Sequence, residues 1–180
     1  MQIRLLLFLL PAALGGAANL AAQGARPLPE LQMGPVPWTN GLSGLSERLA
    51  AIGLPEMPKE EFVQHIHQLL HITVRRAPVT VPAGIGINQM ARYISPIHTH
   101  DTTGVIHIES ATQDTFTLGQ FFDVWGVRFT GKCIGGYCSR AADSLRVTVN
   151  GARVPGDPRS VPLVDHEEIL ISYGAAPARR

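Results

Sequence analysis

The stretch His65-Ile-His-Gln-Leu-Leu-His-Ile-Thr-Val74 alternates between two kinds of side chain. Successive side chains on a β-strand point to opposite faces, so every second residue shares a face. One face then carries the polar set, His65, His67 and His71, together with Leu69. The other face is apolar and carries Ile66, Leu70, Ile72 and Val74. The pattern predicts a strand with one face in a core and a histidine-bearing face outside it.

A second stretch, SPIHTHDTTGVIHIE over residues 95–109, predicts a β-hairpin. If Asp101 to Gly104 forms a four-residue loop, His98 lies opposite His107, with Cβ atoms roughly 5 Å apart. The same register places four potential ligands on one face, namely His98, His100, His107 and Glu109. A shift by one residue would scatter this set, so the prediction depends on the loop length.

Six of the seven histidines lie between positions 65 and 107. Converging imidazoles with a carboxylate nearby are the ligands that zinc and copper ions bind in proteins. The sequence therefore predicts a metal site, with copper or zinc as the cofactor. Its expected ligands are His98, His100, His107, His65, His67 and Glu109.

Two further residues near this site have open roles. His71 either extends the site or lies at the edge of the sheet. Asp101 either accepts a hydrogen bond from a ligand imidazole, as carboxylates around metal sites do, or begins an Asx-turn.

The two cysteines lie close together in Cys133-Ile-Gly-Gly-Tyr-Cys138. In an oxidising compartment such a pair is expected to form a disulfide that closes a small loop. Thiolates are also soft metal ligands, so a metal-binding role for Cys133 and Cys138 stays open.

Two helices are expected. Apolar residues recur at helical spacing over residues 42–52 and stop at Gly53, which predicts a short helix. Residues 116–126 predict a second helix with an apolar stripe. Thr117 and Gln120 match a capping box, in which each side chain bonds to a free N–H group at the start of the helix.

The last third of the chain predicts β-structure. Asn150-Gly151 fits a type I′ turn between two strands, and residues 168–173 form a closing strand. The fold class is therefore α+β, a small and mostly antiparallel sheet with hairpins and one capped helix, preceded by the short helix. A β-grasp-like arrangement is one candidate for this class.

The chain is expected to divide into four segments. Residues 1–24 combine Arg4, an apolar run of about ten residues and small residues, which is typical of a secretory signal peptide. A Pro/Gly-rich arm with the short helix follows over 25–61, then a β-rich metal-binding domain over 62–174 and a frayed tail over 175–180. The expected location is secreted or periplasmic.

Charge and hydropathy limit the partners. Removing Arg4 from the 15 basic residues leaves 14 against 14 acidic residues, and this balance gives no electrostatic footprint for nucleic acid. No later apolar run approaches the roughly 20 residues of a membrane-spanning helix. We expect no stable membrane span after signal removal and a metal ion as the partner, while the sequence specifies no protein partner.

The motif HTHDTTGVIHIES at residues 98–110, followed by FTLGQFFDVWG at 116–126, resembles a poorly characterised family of secreted or membrane-tethered bacterial proteins. The resemblance covers roughly residues 62–174. It implies the domain boundaries and secretion, and it implies no particular activity, since none is established for the family.

Three functions remain open from the sequence. The first is a secreted or periplasmic metal-binding protein that handles copper or zinc. The second is a metalloenzyme in which three histidine ligands leave a position for an activated water, with Glu109 or Asp101 as general base. The third is a metal-free, β-rich interaction module. No G-x-S-x-G nucleophile motif and no phosphate-binding glycine loop occurs, which argues against serine hydrolase and nucleotide chemistry.

Overall fold

A computed structural model describes residues 27–175 of the chain. The segment expected as a signal peptide and most of the expected tail lie outside the described residues. Two α-helices are present, α1 (Leu45–Ile52) and α2 (Leu118–Trp125), together with a short 3-10 helix, Pro158–Ser160.

Eleven strands are present in the described part of the chain. In chain order they are β1 (Gln64–Val74), β2 (Ala77–Val79), β3 (Ile87–Asn88), β4 (Tyr93–Ile94), β5 (Ile97–His98), β6 (Val105–Ser110), β7 (Cys133–Ile134), β8 (Tyr137–Cys138), β9 (Ser144–Val149), β10 (Ala152–Arg153) and β11 (Glu168–Gly174). The α+β class and the mostly antiparallel sheet are confirmed.

The main sheet has the order β10-β9-β11-β1-β6-β5, and β2 pairs with β1 beyond the end of β6. Every pair in it is antiparallel except β1 with β11, which run parallel from Leu69 and Glu168 onward. The two longest central strands therefore come from distant parts of the chain. The pairs β3–β4 and β7–β8 form separate two-stranded ribbons.

The predicted alternation along β1 is confirmed, because Leu70, Ile72 and Val74 are buried while His65 and His71 are exposed. Burial of an apolar side chain contributes about 1.5–3 kcal/mol, which fixes the face of the strand that points into the core. The histidine-bearing face of β1 therefore lies on the opposite side of the sheet from the core.

Helix α2 packs against β5 and supplies the aromatic part of the core, including Phe121, Phe122 and Trp125. The predicted capping box is confirmed: the Thr117 N–H donates to the Gln120 side chain, and the Gln120 N–H donates to the Thr117 hydroxyl. Local capping therefore sets the start of the helix that supports the sheet.

Arg48 on α1 is fully buried, and its guanidinium bonds only to backbone carbonyls of the described chain. Its Nε donates to Asp123 at 2.8 Å and Nη2 to Val124 at 3.2 Å, at the last turn of α2. Burial lowers the pKa of Arg48. A cation at a helix C-terminus satisfies carbonyls that lack intrahelical partners, so Arg48 joins α1 to α2.

The arm before α1 packs on the same core. Trp38 is buried, and its ring meets that of Trp125 edge-on with centroids 5.7 Å apart. The Trp125 indole N–H donates to the Thr39 carbonyl at 2.7 Å. Core residues of the arm, of α1 and of the sheet thus form one hydrophobic cluster.

The sequence VTVPAGIGI at residues 79–87 alternates in a way that predicts a second strand after β1, and this prediction is wrong for most of its length. Only Val79 belongs to a strand that pairs with β1. Pro82 has no N–H to donate to a sheet, and Gly84 and Gly86 have φ values of 76° and 74°. The chain therefore leaves the sheet and forms a turn that lies beside β5.

Two further expectations are settled by the fold. Cys133 and Cys138 form a disulfide between β7 and β8, so neither serves as a thiolate ligand. The turn at Asn150-Gly151 has positive φ at both residues, 49° and 80°, as a type I′ turn requires. Within residues 27–175, no helix is both long enough and apolar enough to cross a bilayer.

Candidate metal centre

Three neighbouring strands bring the histidines together. Across the sheet, His67 on β1 lies opposite His107 on β6, and His107 lies opposite His98 on β5. The predicted hairpin register is therefore confirmed. Two residues away on each strand, His65 of β1 lies opposite Glu109 of β6. The result is a patch of ligand side chains three strands wide, with β6 in the middle.

His107 is the centre of this patch. Its ring centroid lies 4.6 Å from that of His67, 4.4 Å from that of His100 and 5.5 Å from that of His98. Two groups of residues could each hold an ion, because the ligand atoms within each group all lie within 4.8 Å of one another. Both groups include His107. The first group is His98, His100, His107 and Glu109, and the second is His65, His67 and His107.

The solvent exposure of the side chains increases from one side of the patch to the other. The His98 side chain is fully buried and that of Glu109 is 3% exposed, whereas those of His100 and His65 are 39% and 41% exposed. The buried pair forms the floor of the site, and the exposed histidines form its rim. An ion held here would keep contact with solvent on one side.

The tautomer of His98 follows from its surroundings. Its Nδ1 lies 3.0 Å from the Ser95 carbonyl oxygen, which can only accept, so Nδ1 carries the proton. Burial lowers the pKa of His98 to about 3, so the ring is neutral at pH 7 and Nε2 is the nitrogen that carries the lone pair. Metal-binding histidines are oriented in this way by a carbonyl on their other nitrogen.

The unprotonated Nε2 of His98 faces the other candidate ligands. It lies 3.1 Å from Nε2 of His100 and 3.9 Å from Oε2 of Glu109. Nδ1 of His107 lies 3.6 Å from Oε1 of Glu109. Ligand atoms around a tetrahedral ion with Zn–N bonds of 2.0–2.1 Å are about 3.3 Å apart, so these separations need only small adjustments.

Two buried polar atoms lack a partner. Among the described residues, Nδ1 of His107 and Oε2 of Glu109 are the buried side-chain atoms with no hydrogen bond. An unsatisfied buried polar atom costs about 1–3 kcal/mol, and more when it is charged. Both atoms belong to residues of the first ligand group, which could hold an ion.

The pKa shifts in the site keep the buried imidazole side chains in the neutral form, which is the form that binds metal ions. Burial, and then the charge of His100, lowers the pKa of His107 to about 4. Burial, and then the charge of Glu60, raises the pKa of Glu109. Neutral imidazoles offer lone pairs without competition from protons at neutral pH, and a bound cation would offset the burial of the carboxylate.

The other residues named from the sequence lie elsewhere or act otherwise. Oδ1 of Asp101 accepts from the Thr103 N–H at 2.8 Å and from its hydroxyl, so Asp101 forms the Asx-turn of the hairpin loop and orients no ligand imidazole. His71 is exposed beside Glu168, outside both ligand groups. His166 is exposed beside Asp165.

Three contributors were not expected from the sequence. The Ser95 carbonyl orients His98, and its only signal is its position three residues earlier in the chain. Glu60 lies 3.6 Å from Nε2 of His100. Asp165 accepts the backbone N–H of His67 at 2.9 Å and thereby holds that end of β1. Glu60 and Asp165 are brought to the site by long-range packing.

Comparison with protein-family models, with curated proteins and with solved structures finds no match to this chain. The geometry of the site is therefore the basis for assigning a function.

Proposed function

We propose that this protein binds a divalent transition-metal ion, copper or zinc, through His98, His100, His107 and Glu109. The observation that carries the proposal is the pair of buried atoms without partners, His107 Nδ1 and Glu109 Oε2, inside a ligand group whose atoms lie within 4.8 Å of one another. A metal ion satisfies a nitrogen lone pair and a carboxylate oxygen together.

Both metals suit the ligand set. Imidazole and carboxylate ligands bind Zn²⁺ in four-coordinate sites. The same ligands bind Cu²⁺ more tightly by the Irving–Williams order. We assign the protein to extracytoplasmic handling of one of these ions, that is, to binding and delivering it.

The test is reconstitution of the purified protein with Zn²⁺ or Cu²⁺, followed by gel filtration and mass spectrometry of the bound metal. We expect bound metal in the unaltered protein and its loss in the His98→Ala/His100→Ala variant. The matched control is His71→Ala, which removes an exposed histidine of β1 outside the ligand groups.

Because His98 is fully buried, its replacement can disturb folding, so a second variant is needed. His100→Ala alters a side chain that is 39% exposed and should weaken metal binding while the circular dichroism spectrum stays unchanged. Absence of bound Zn²⁺ and Cu²⁺ in the unaltered protein would contradict the proposal and favour a metal-free interaction module.

A cleft beside the rim favours a second candidate function, that of a metalloenzyme. The cleft has a volume of about 880 Å³, and His100 lines it together with amide side chains, Asn40, Asn88 and Gln89. An ion bound by three imidazoles with an open fourth position could activate a water facing this cleft, with Glu109 or Glu60 as the nearest carboxylates.

The two candidates differ in whether the ion keeps an exchangeable position. Co²⁺ substitution gives the site a visible spectrum that responds to added azide when a position is open. A spectrum that azide changes would favour the enzyme. A spectrum that azide leaves unaltered would favour binding and delivery.

We also propose that the protein works in the periplasm or outside the cell. The disulfide between Cys133 and Cys138 supports an oxidising compartment, as does the signal-like pattern of residues 1–24. Fractionation of cells that express the full chain tests this location. Protein confined to the cytoplasm would contradict the proposal. Membership in the secreted bacterial family and a β-grasp-like fold stay predictions.

A further inference from the structure

The second ligand group shares His107 with the first and extends from it toward the opposite strand. His65 and His67 are on β1, whereas His98 is on β5, with β6 between them. Neighbouring strands are about 4.8 Å apart, so strands on either side of β6 are roughly twice that distance apart. Among the described residues, neither group of donor atoms that lie within 4.8 Å of one another combines His98 with His65 or His67, so the two outer strands serve different groups in this geometry.

The number of donors also exceeds what one ion uses. Five imidazoles and one carboxylate converge on the patch, while a tetrahedral ion takes four ligands. If the first ion takes the first group, His65 and His67 remain without a metal. Their rings lie 4.7 Å apart at centroid, and each belongs to the group that shares His107.

Glu109 lies between the two groups with one oxygen toward each. Its Oε2 lies 3.9 Å from Nε2 of His98, whereas its Oε1 lies 3.4 Å from Nε2 of His65. A carboxylate with its oxygens directed at two ligand sets has the arrangement of a bridging ligand in two-metal sites. The shared His107 has two ring nitrogens: as a neutral ring it binds one ion through one nitrogen, and it bridges both positions as an imidazolate once its N–H proton is released to solvent.

We propose that the site holds two metal ions, an inner one on His98 and His100 and an outer one on His65 and His67, with Glu109 and His107 between them. This inference rests on the proposed metal-binding function and adds a second ion to it. The outer ion is the weaker one, because its histidines are more exposed and the inner ion already takes up charge from Glu109.

The order of binding follows from the same geometry. The inner position has a buried floor, the side chains of His98 and Glu109, so it fills first. The outer position has the His65 side chain at 41% exposure and lies open to solvent and to competing chelators. A chelator titration should therefore remove the two ions in separate steps, the outer ion first.

The experiment counts Zn²⁺ in the full chain after reconstitution and gel filtration, by mass spectrometry. We expect two equivalents in the unaltered protein and in the control His71→Ala. We expect one equivalent in His65→Ala/His67→Ala, and the same in His65→Gln/His67→Gln, which keeps polar side chains of similar size on the strand.

Cu²⁺ provides an independent readout, because two nearby Cu²⁺ ions couple magnetically. The unaltered protein should show an electron paramagnetic resonance signal that accounts for less than its copper content. In His65→Ala/His67→Ala the signal should account for all the bound copper, since only an isolated inner ion remains.

The outcomes separate this inference from the function on which it rests. One equivalent in both the unaltered protein and His65→Ala/His67→Ala would overturn the second ion and leave the proposed function standing. Two equivalents that persist in that variant would also overturn it, since the second ion would then lie elsewhere. No bound metal in any form would overturn the proposed function itself.

Discussion

His98 and His107 face each other across the β5–β6 pair with their rings stacked, 14° from parallel and 5.5 Å apart at centroid. Both rings have lowered pKa values, so two neutral imidazoles lie side by side at neutral pH. Nothing in the described chain donates to Nδ1 of His107. The fold alone therefore arranges the pair, so an ion bound there would require little rearrangement.

Metal binding should stabilise the fold measurably. An ion that binds only the folded state contributes about 2.7 kcal/mol to the free energy of unfolding at 100 times its Kd. For a chain of this size, that corresponds to a rise in Tm of about 5–10 °C. Thermal unfolding with and without Zn²⁺ or Cu²⁺ measures it, and a chelator should reverse the rise. An unchanged Tm at saturating metal would contradict the prediction.

Glu109→Gln should have opposite effects on the two forms of the protein. The pKa of Glu109 is raised mainly by burial, so its charged form is unfavourable without metal and the variant should be more stable when metal-free. Because the variant loses the carboxylate ligand, metal affinity should fall by about 10-fold or more. Thermal unfolding and chelator competition measure the two effects.

The matched control is Glu168→Gln, whose side chain is 58% exposed beside His71. This substitution should change neither the stability of the metal-free protein nor the metal affinity by much. Equal metal affinity in Glu109→Gln and in the unaltered protein would exclude Glu109 as a ligand.

The metal-free protein should lose stability as the pH falls from about 6.5 to about 4. The pKa values of His98 and His107 are lowered to about 3 and about 4. Between those values and 6.5, the unfolded chain binds protons that the folded chain does not, so the free energy of unfolding decreases as pH falls. Urea unfolding of chelator-treated protein at several pH values measures this slope.

Glu109 acts in the opposite direction within the same range. Its raised pKa means that the folded chain takes up this proton at a higher pH than the unfolded chain, which favours the folded state toward low pH. The slope from the histidines should therefore be steeper in a Glu109→Gln background. A stability that is independent of pH between 6.5 and 5 in that background would contradict the lowered histidine pKa values.

Gly104→Ala should destabilise the hairpin that carries the ligands. Gly104 has φ 88°, and a Cβ there would lie 2.4 Å from the Leu70 carbonyl oxygen of β1. We expect a loss of about 2–4 kcal/mol from backbone strain and this clash, together with weaker metal binding. Denaturant unfolding and chelator competition measure the two losses.

Gly151→Ala is the matched control for the hairpin. Gly151 has a similar φ of 80° but open space around its Cβ position, so only the strain of about 1 kcal/mol should remain. Similar losses in the two variants would show that contact with β1 is not what holds the loop.

The Cys133→Ser/Cys138→Ser variant should lose stability without losing metal. The disulfide joins residues only five apart in sequence, and chain entropy for so small a loop amounts to about 2 kcal/mol. Because neither sulfur is a thiolate, the metal content should equal that of the unaltered protein. A drop in metal content with an intact fold would reopen a metal role for the cysteines.

The local features of the site could be predicted from the sequence because they depend on neighbouring residues. The register that places His98 opposite His107 follows from the length of the Asp101 to Gly104 loop. The capping box of α2 follows from the spacing of Thr117 and Gln120. Period-two alternation alone indicated which face of β1 carries histidines.

Features that depend on contacts between distant residues could not be predicted. No local signal places β1 beside β6, and that pairing is what brings His65 to Glu109. The burial of Arg48 depends on the position of α2 relative to α1. Two roles were open for Asp101, and the structure shows the Asx-turn, in which Thr103 offers two donors.

The parallel pairing of β1 with β11 has a consequence for biosynthesis. All seven histidines precede Glu168 in the chain, so every ligand leaves the ribosome before the strand that fills the gap between β9 and β1. Until then, the edge of β1 from Leu69 to Val74 lacks its partner. The three strands that carry the candidate ligands, β1, β5 and β6, are thus synthesised before the strand that completes the sheet.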